Sequence, residues 1–213
     1  MLKASRRYIV VEGPIGAGKT SLARLLAERT RADLLLEDPE SNPFLKSFYQ
    51  EPRRWALATQ LFFLFQRVNQ LSGLKQLDLF DRSTVADFLF DKDPLFARLN
   101  LSDDEFALYQ QIYGHLAPQA AVPDLVVYLQ APVETLMARV RKRAASYERG
   151  ISEDYLTRLT QAYGRFFHQY GASPLLIVNS KNLNFVDRPE DFDLLWRRIT
   201  EMRGAREFFN LGN

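Results

Sequence analysis

Eight residues carry the most specific chemistry in the chain. Gly13-Pro14-Ile15-Gly16-Ala17-Gly18-Lys19-Thr20 matches the phosphate-binding pattern G-x-x-x-x-G-K-[ST]. Glycines at 13, 16 and 18 let consecutive backbone N–H groups converge on phosphate oxygens. A lysine next to the last glycine reaches the β- and γ-phosphates, and the threonine hydroxyl is a ligand for Mg²⁺. Apolar residues at 8–11 precede the loop and Leu22, Leu25 and Leu26 follow it at helical spacing. The motif therefore sits between a strand and a helix, and the positive helix end points at the bound anion. ATP and Mg²⁺ are the expected cofactors. No N-K-x-D motif is present to read guanine, since Asn179-Ser180-Lys181 does not fit it.

Other segments could complete a phosphotransfer site. Glu37-Asp38-Pro39 follows the apolar run Leu34-Leu35-Leu36. Open α/β sheets bind ligands at the carboxyl ends of their strands, and a carboxylate there can take a hydroxyl proton. Asp81-Arg82-Ser83 follows Leu77 to Phe80, which reads as a further strand. Asp81 is then placed to hold Mg²⁺, and Arg82 to neutralise charge on a moving phosphoryl group. Arg139, Arg141 and Arg143 close the helix after the fourth strand; Arg139 and Arg143 share a face at i,i+4. Arginines before the stretch 144–150 suit a lid, at about 143–151, that closes over phosphates.

The elements that must hold these groups alternate. Strands are expected at 8–11, 32–36, 77–80, 124–129 and 174–178. Helices are expected at 19–29, 55–74, from Ser102 to Pro118, at 132–145, at 152–170 and from Pro189. Alternation implies an α/β fold: a parallel five-stranded sheet with helices on both faces, in one domain spanning 1–213. The balance of 28 basic against 26 acidic residues leaves a net charge of +2, no general footprint for nucleic acid. There is no cysteine and only His115 and His168, so a disulfide framework and a zinc cage are both disfavoured. The longest apolar run, 61–65, is too short for a bilayer, and a glycine turn soon after the basic start leaves no signal peptide. A cytoplasmic protein is expected.

Taken in order, these segments resemble the deoxyribonucleoside kinase family, especially its small bacterial deoxyadenosine and deoxyguanosine kinases. The likeness runs from Tyr8 to about Asp191. It rests on the phosphate loop, Glu37-Asp38-Pro39 with Asn42-Pro43-Phe44-Leu45, Tyr49, Trp55 with Gln60, Asp81-Arg82-Ser83, and Arg139 to Glu148. The resemblance implies transfer of the ATP γ-phosphoryl group to the 5′-hydroxyl of a deoxyribonucleoside. It implies that Glu37 is the general base, that Arg82 binds the 5′-oxygen and the phosphoryl group, and that Asp81 joins Thr20 at Mg²⁺. Tyr49 and Glu148 correspond to the pair that binds the sugar 3′-hydroxyl, and Gln60 to the amide that reads the base edge. Arg67 and Asp87 correspond to a pair typical of relatives that accept purine deoxynucleosides or deoxycytidine, Phe90 to a residue stacking on the base, and Arg139 and Arg143 to lid arginines. A homodimer through the helices from Trp55 and Asp103 is also implied.

The likeness has departures. Many relatives place the base glutamate directly before the proline; here Asp38 intervenes and is the second candidate for that role. Ala145 stands where some relatives have a third lid arginine. Two other functions stay open on sequence: a nucleoside monophosphate kinase of the thymidylate kinase type, and a non-catalytic nucleotide-binding subunit. Intact Gly18, Lys19, Thr20, Glu37 and Arg82 favour catalysis, and the Tyr49–Glu148 pair with Gln60 favours an unphosphorylated acceptor. Lys19→Ala is expected to lower kcat about 10²–10³-fold, the cost of one lost electrostatic donor at a phosphoryl centre. An unchanged kcat in an ADP-release assay would contradict the phosphate-loop reading.

Overall fold

The structure is a computed structural model that describes residues 8–76, 83–117, 121–148 and 150–211. Its centre is β1 (Tyr8–Glu12), five residues buried without exception. The strand has no alternation because both faces are covered, as a parallel sheet requires. It runs into the glycine loop and then α1 (Lys19–Thr30). Gly18 caps α1 at φ 97° with no side-chain acceptor, so the first N–H groups stay free for an anion. Gly16 has φ 83°, and a Cβ there would lie 2.6 Å from the Leu136 carbonyl oxygen. Only glycine allows the loop that turn and that approach.

β2 (Asp33–Leu35) follows and is half-exposed at the sheet edge. A turn of 3₁₀ helix at Pro39–Ser41 and the short α2 (Leu45–Gln50) lead into α3 (Pro52–Gln76). Ala56, Gln60, Leu64, Arg67 and Leu71 form one buried stripe on α3, spaced four, four, three and four apart. That stripe carries two polar side chains into the interior. Next come β3 (Thr84–Ala86), a 3₁₀ turn at Phe90–Lys92, α4 (Asp93–Asn100) and α5 (Asp103–Leu116). A capping box between Ser102 and Glu105 starts α5 where the sequence predicts a helix. The chain continues through β4 (Leu125–Gln130), α6 (Val133–Arg143), α7 (Glu153–Gln169), β5 (Leu175–Asn179), α8 (Pro189–Glu201) and β6 (Arg206–Asn210).

The sheet order is β2-β3-β1-β4-β5-β6, with every pairing parallel. Succession reverses around β1, which makes its carboxyl end the switch point where such sheets bind ligands. Two expectations change. The sheet has six strands rather than five, because residues beyond Gly204 add β6 at the edge. The strand between β1 and β2 is Thr84–Ala86, held by Tyr8–Val10 on one side and Asp33–Leu35 on the other. The segment 77–80 and the adjoining Asp81 and Arg82 lie outside the described residues. Ser83 directly precedes β3, so the Asp-Arg-Ser tripeptide comes before this strand, and the acid at its carboxyl end is Asp87.

Candidate active site

A cavity of about 340 Å³ opens at the carboxyl ends of β1, β2 and β3. Lys19 and Thr20 form its phosphate end. Glu37 comes from the end of β2, Tyr49 from α2, Gln60, Phe63 and Arg67 from α3, and Asp87 and Lys92 from the segment after β3. Phe96 of α4, Arg143 at the end of α6, and Tyr147 and Glu148 from the turn after it also line the wall. Nine predicted residues thus meet in one space: Lys19, Thr20, Glu37, Tyr49, Gln60, Arg67, Asp87, Arg143 and Glu148.

At the phosphate end the Lys19 ammonium donates to the loop's own Gly13 carbonyl oxygen at 2.9 Å. Burial lowers its pKa from the usual lysine value, and nearby Lys92 lowers it further. The Thr20 hydroxyl donates to Asp87 Oδ2 at 2.5 Å. Asp87 Oδ1 accepts from the Glu37 backbone N–H at 2.8 Å, which links the ends of β2 and β3. Two hard oxygens at the edge of a phosphate loop fit Mg²⁺, which keeps most of its shell for water and substrate phosphates. Among the described residues no group of three or more His, Cys, Asp or Glu could hold a metal alone.

At the acceptor end the Arg67 guanidinium lies between two carboxylates. Its Nε donates to Glu37 Oε1 at 2.8 Å, Nη2 reaches the same oxygen, and Nη1 donates to Asp93 Oδ2. Asp93 is fully buried and also accepts from Gln60 Nε2 at 2.6 Å and from the Tyr109 hydroxyl. Burial by itself would raise the Glu37 carboxyl. The charges of Arg67, Lys92 and Lys19 outweigh burial and hold it down at about 2. Glu37 is therefore ionised at neutral pH.

This arrangement corrects several expectations. Arg67 does not pair with Asp87; its partners are Glu37 and Asp93, because Asp87 ends a strand facing the phosphate loop while Asp93 heads α4 beside α3. Phe90 does not line the cavity. It is 4% exposed and stacks on Tyr113 at 5.3 Å. The ring on the cavity wall beside Arg67 is Phe63, 5.3 Å from the guanidinium carbon. Arg139 also stands off the cavity: its Nη2 donates to the Ser180 carbonyl oxygen at 2.7 Å and ties α6 to the loop after β5. Arg143, expected as a lid arginine, donates through Nε to Glu148 at 2.9 Å and so rests on the residue expected to bind sugar. Asp38 is exposed and accepts from Ser41 N–H, capping the turn at Pro39–Ser41.

Sequence reasoning missed Glu12, Lys92 and Asp93. The run Asp91-Lys92-Asp93-Pro94 has the composition of a solvated turn. The one available signal was its position after the apolar Phe88-Leu89-Phe90, which makes a surface location less natural.

The Deoxynucleoside kinase family signature matches residues 9–202. The chain belongs to the deoxynucleoside kinase family. Among similar kinases, the deoxyguanosine kinase of Bacillus subtilis is 32% identical over 200 residues, covering 92% of this chain and 97% of that protein. The deoxyadenosine kinase of Lactobacillus acidophilus is 30% identical over 219 residues, covering 96% and 99%. The solved deoxyadenosine kinase of M. mycoides with bound dATP shares the fold, with a TM-score of 0.78 at 23% identity over 90% of this chain and 98% of that one. No described helix is long and apolar enough to cross a membrane.

The wall around Arg67 yields a stability prediction. Arg67→Met leaves two carboxylates facing one another without their cation, and breaking such a buried pair costs about 3–5 kcal/mol. In the wild type the Glu37 pKa is depressed, so its contribution is present above the unfolded carboxyl value of about 4.3 and is lost as pH falls towards about 2. In the variant burial acts unopposed by Arg67. The deficit is therefore largest near neutral pH and shrinks as pH falls through about 4. Urea unfolding at several pH values measures it, and a pH-independent deficit would contradict the assignment.

Proposed function

We propose that this enzyme transfers the γ-phosphoryl group of ATP to the 5′-hydroxyl of a purine deoxyribonucleoside, deoxyguanosine or deoxyadenosine, giving the 5′-monophosphate. The observation that carries this reading is the cavity running from Lys19 and Thr20, past Glu37, to Gln60 and Arg67. Phosphoryl transfer needs little covalent help from a protein; it needs positioning and neutralised charge. A cation-lined loop at one end and a polar, base-sized wall at the other supply both.

The residues divide as follows. Gly16 and Gly18 present backbone N–H groups to the phosphates with Lys19, while the Gly13 N–H is given to Glu12 and anchors the start of the loop. Mg²⁺, held by Thr20 and Asp87, would supply charge neutralisation on the phosphate oxygens. Glu37 takes the 5′-hydroxyl proton. Support for Glu37 over Asp38 comes from Asp38's exposure and its use as a cap. A carboxyl held at about 2 is a weak base, but it is ready in ionised form, and the oxygen becomes strongly acidic as its bond to phosphorus forms. Tyr49 and Glu148 hold the sugar 3′-hydroxyl. The Tyr49 phenol stays protonated because burial, then Tyr155 and Glu148, push it well above its ordinary value. A Cβ on Gly150 would come within 2.8 Å of Tyr49, so the glycine lets the proposed lid segment pack directly against that residue.

Base preference follows from the wall. Gln60 spends its nitrogen on Asp93, which leaves the amide oxygen as an acceptor, and Arg67 supplies donors beside it. The buried Thr59 hydroxyl on the same wall has no hydrogen-bond partner and offers one more polar contact. Purines present matching edges. Thymine would bring a methyl group against buried charge and leave it unpaired. Relatives named deoxyguanosine and deoxyadenosine kinases support the same ranking. A homodimer is also proposed. Phe65 on α3 and Leu108 on α5 are each 48% exposed on two helices that pack together.

The test is a coupled ADP-release assay over deoxynucleosides, ribonucleosides and monophosphates. Deoxyguanosine or deoxyadenosine is expected to give the highest kcat/KM, deoxycytidine less and thymidine least. Glu37→Gln should lower kcat by about 10²–10⁴-fold while sparing KM for the nucleoside. Highest turnover of a monophosphate or of thymidine would contradict the proposal, as would a larger loss from Asp38→Asn than from Glu37→Gln.

A further inference from the structure

Two polar side chains on the cavity wall have no part in the reaction described above. Asn100, the last residue of α4, lies one turn beyond Phe96, so the two share a helix face, and both line the cavity. Tyr155 of α7 lines it as well. Asn100 Nδ2 donates to the Tyr155 hydroxyl at 3.4 Å. The Tyr155 ring in turn meets the Tyr49 ring edge-on at 6.3 Å. Tyr49 is the residue proposed to hold the sugar, so Asn100 and Tyr155 stand where the sugar joins its base. The opposite end of the base belongs to Gln60 and Arg67, fixed by Asp93 at the start of α4. Asp93 and Asn100 are separated by about 10 Å of helix, room for a bicyclic base between the two ends.

The hydrogen-bonding character of each end is defined. Gln60 gives both N–H groups to Asp93 and presents only Oε1. Arg67 keeps a second N–H on each terminal nitrogen. An acceptor beside a donor suits adenine, through its 6-amino group and a ring nitrogen, and guanine equally, through N1–H and O6. That end favours purines without choosing between them. At the sugar end, Asn100 spends Nδ2 on Tyr155 and leaves Oδ1 as an acceptor. Burial pushes the Tyr155 phenol up to about 12, so it stays a donor at neutral pH. Here too an acceptor and a donor lie side by side. On its sugar edge guanine carries an amine at position 2 next to the acceptor N3, whereas adenine shows N3 alone. Adenine would leave the Asn100 oxygen facing a C–H group in a closed site.

We propose that Asn100 reads the 2-amino group of guanine, with Tyr155 as the positioning residue that holds its amide oxygen towards the base, and that deoxyguanosine is thereby preferred to deoxyadenosine. This rests on the nucleoside-kinase reading above and adds to it the choice between the two purines.

Deoxyinosine tests the contact, because it differs from deoxyguanosine only in lacking that amine. The ratio of kcat/KM for deoxyguanosine over deoxyinosine cancels any general loss of activity in a variant. In the wild type the ratio is expected to be about 10, the effect of one hydrogen bond whose acceptor is otherwise left unpaired. Asn100→Leu removes the acceptor and should bring the ratio to within about twofold of one, whereas Asn100→Asp keeps an acceptor and should preserve it. Tyr155→Phe frees the amide to turn its nitrogen to the base and should give an intermediate ratio. Binding of both nucleosides is also measured by calorimetry without ATP, which reads the preference apart from phosphoryl transfer. A wild type that phosphorylates both nucleosides equally well overturns the proposal and leaves the kinase reading standing. An Asn100→Leu variant that keeps the wild-type ratio overturns it too, above all if its ratio of guanosine to deoxyguanosine turnover has changed, since Asn100 then faces the sugar. A wild type that binds deoxyguanosine more tightly than deoxyinosine but phosphorylates neither removes the kinase reading and supports the contact.

Discussion

The contact on which the site depends is Arg67 between Glu37 and Asp93. Three charges lie together in a wall where the arginine is 5% and Asp93 0% exposed at the side chain. No one of them could be there alone, because an unpaired buried charge costs several kcal/mol. The trio ties α3, the end of β2 and the start of α4 into one surface. It also fixes what the surface can do. Glu37 is ionised and aimed at the cavity, and the Gln60 amide is oriented by Asp93 rather than by solvent.

A second cluster does the same for the phosphate end. Glu12 gathers N–H groups from Gly13 and Leu89, the Tyr163 hydroxyl and the Lys92 ammonium. It thereby joins the phosphate loop, the segment after β3 and α7. Asp87 links the two clusters, bonding Thr20 on one side and the Glu37 backbone on the other. The cavity is in effect a chain of alternating charges, anchored at the carboxyl ends of three adjacent parallel strands. Each link needs a strand end in register with its neighbour. That is why the sheet order, with β1 between β3 and β4, matters to the chemistry.

The sequence exposes these features unevenly, for physical reasons. The phosphate loop is readable because its chemistry is local: glycines, lysine and threonine act through adjacent backbone. Gln60 and Arg67 are readable as two polar positions seven apart on a helix whose buried stripe they share. β3 is not. Three buried residues in a parallel strand show no periodicity, and Thr84–Ala86 takes its place from pairing with β1 and β2, which are distant in sequence. The strand expected at 77–80 lies outside the described residues, and Thr84–Ala86 carries no signal that would have singled it out. The Arg67–Asp87 pairing came from the family resemblance, and the buried Asp93 takes that place in the structure. Lys92 and Asp93 escape notice because single-sequence reasoning treats charged residues as solvated, and only tertiary partners reverse that preference. β6 escapes because an edge strand with one exposed face needs no hydrophobic signature, and Phe208 is 67% exposed.

The central claim is that this cavity delivers a phosphoryl group to a nucleoside hydroxyl and not to a phosphate. Phosphorus NMR of a reaction containing ATP, Mg²⁺ and equal deoxyguanosine and deoxyguanosine 5′-monophosphate tests it most directly. The account predicts a growing 5′-phosphomonoester signal coupled to the C5′ protons, matched by ADP formation, with no new nucleoside diphosphate beyond ADP. Growth of deoxyguanosine diphosphate at the expense of the monophosphate, with deoxyguanosine left unchanged, would contradict it.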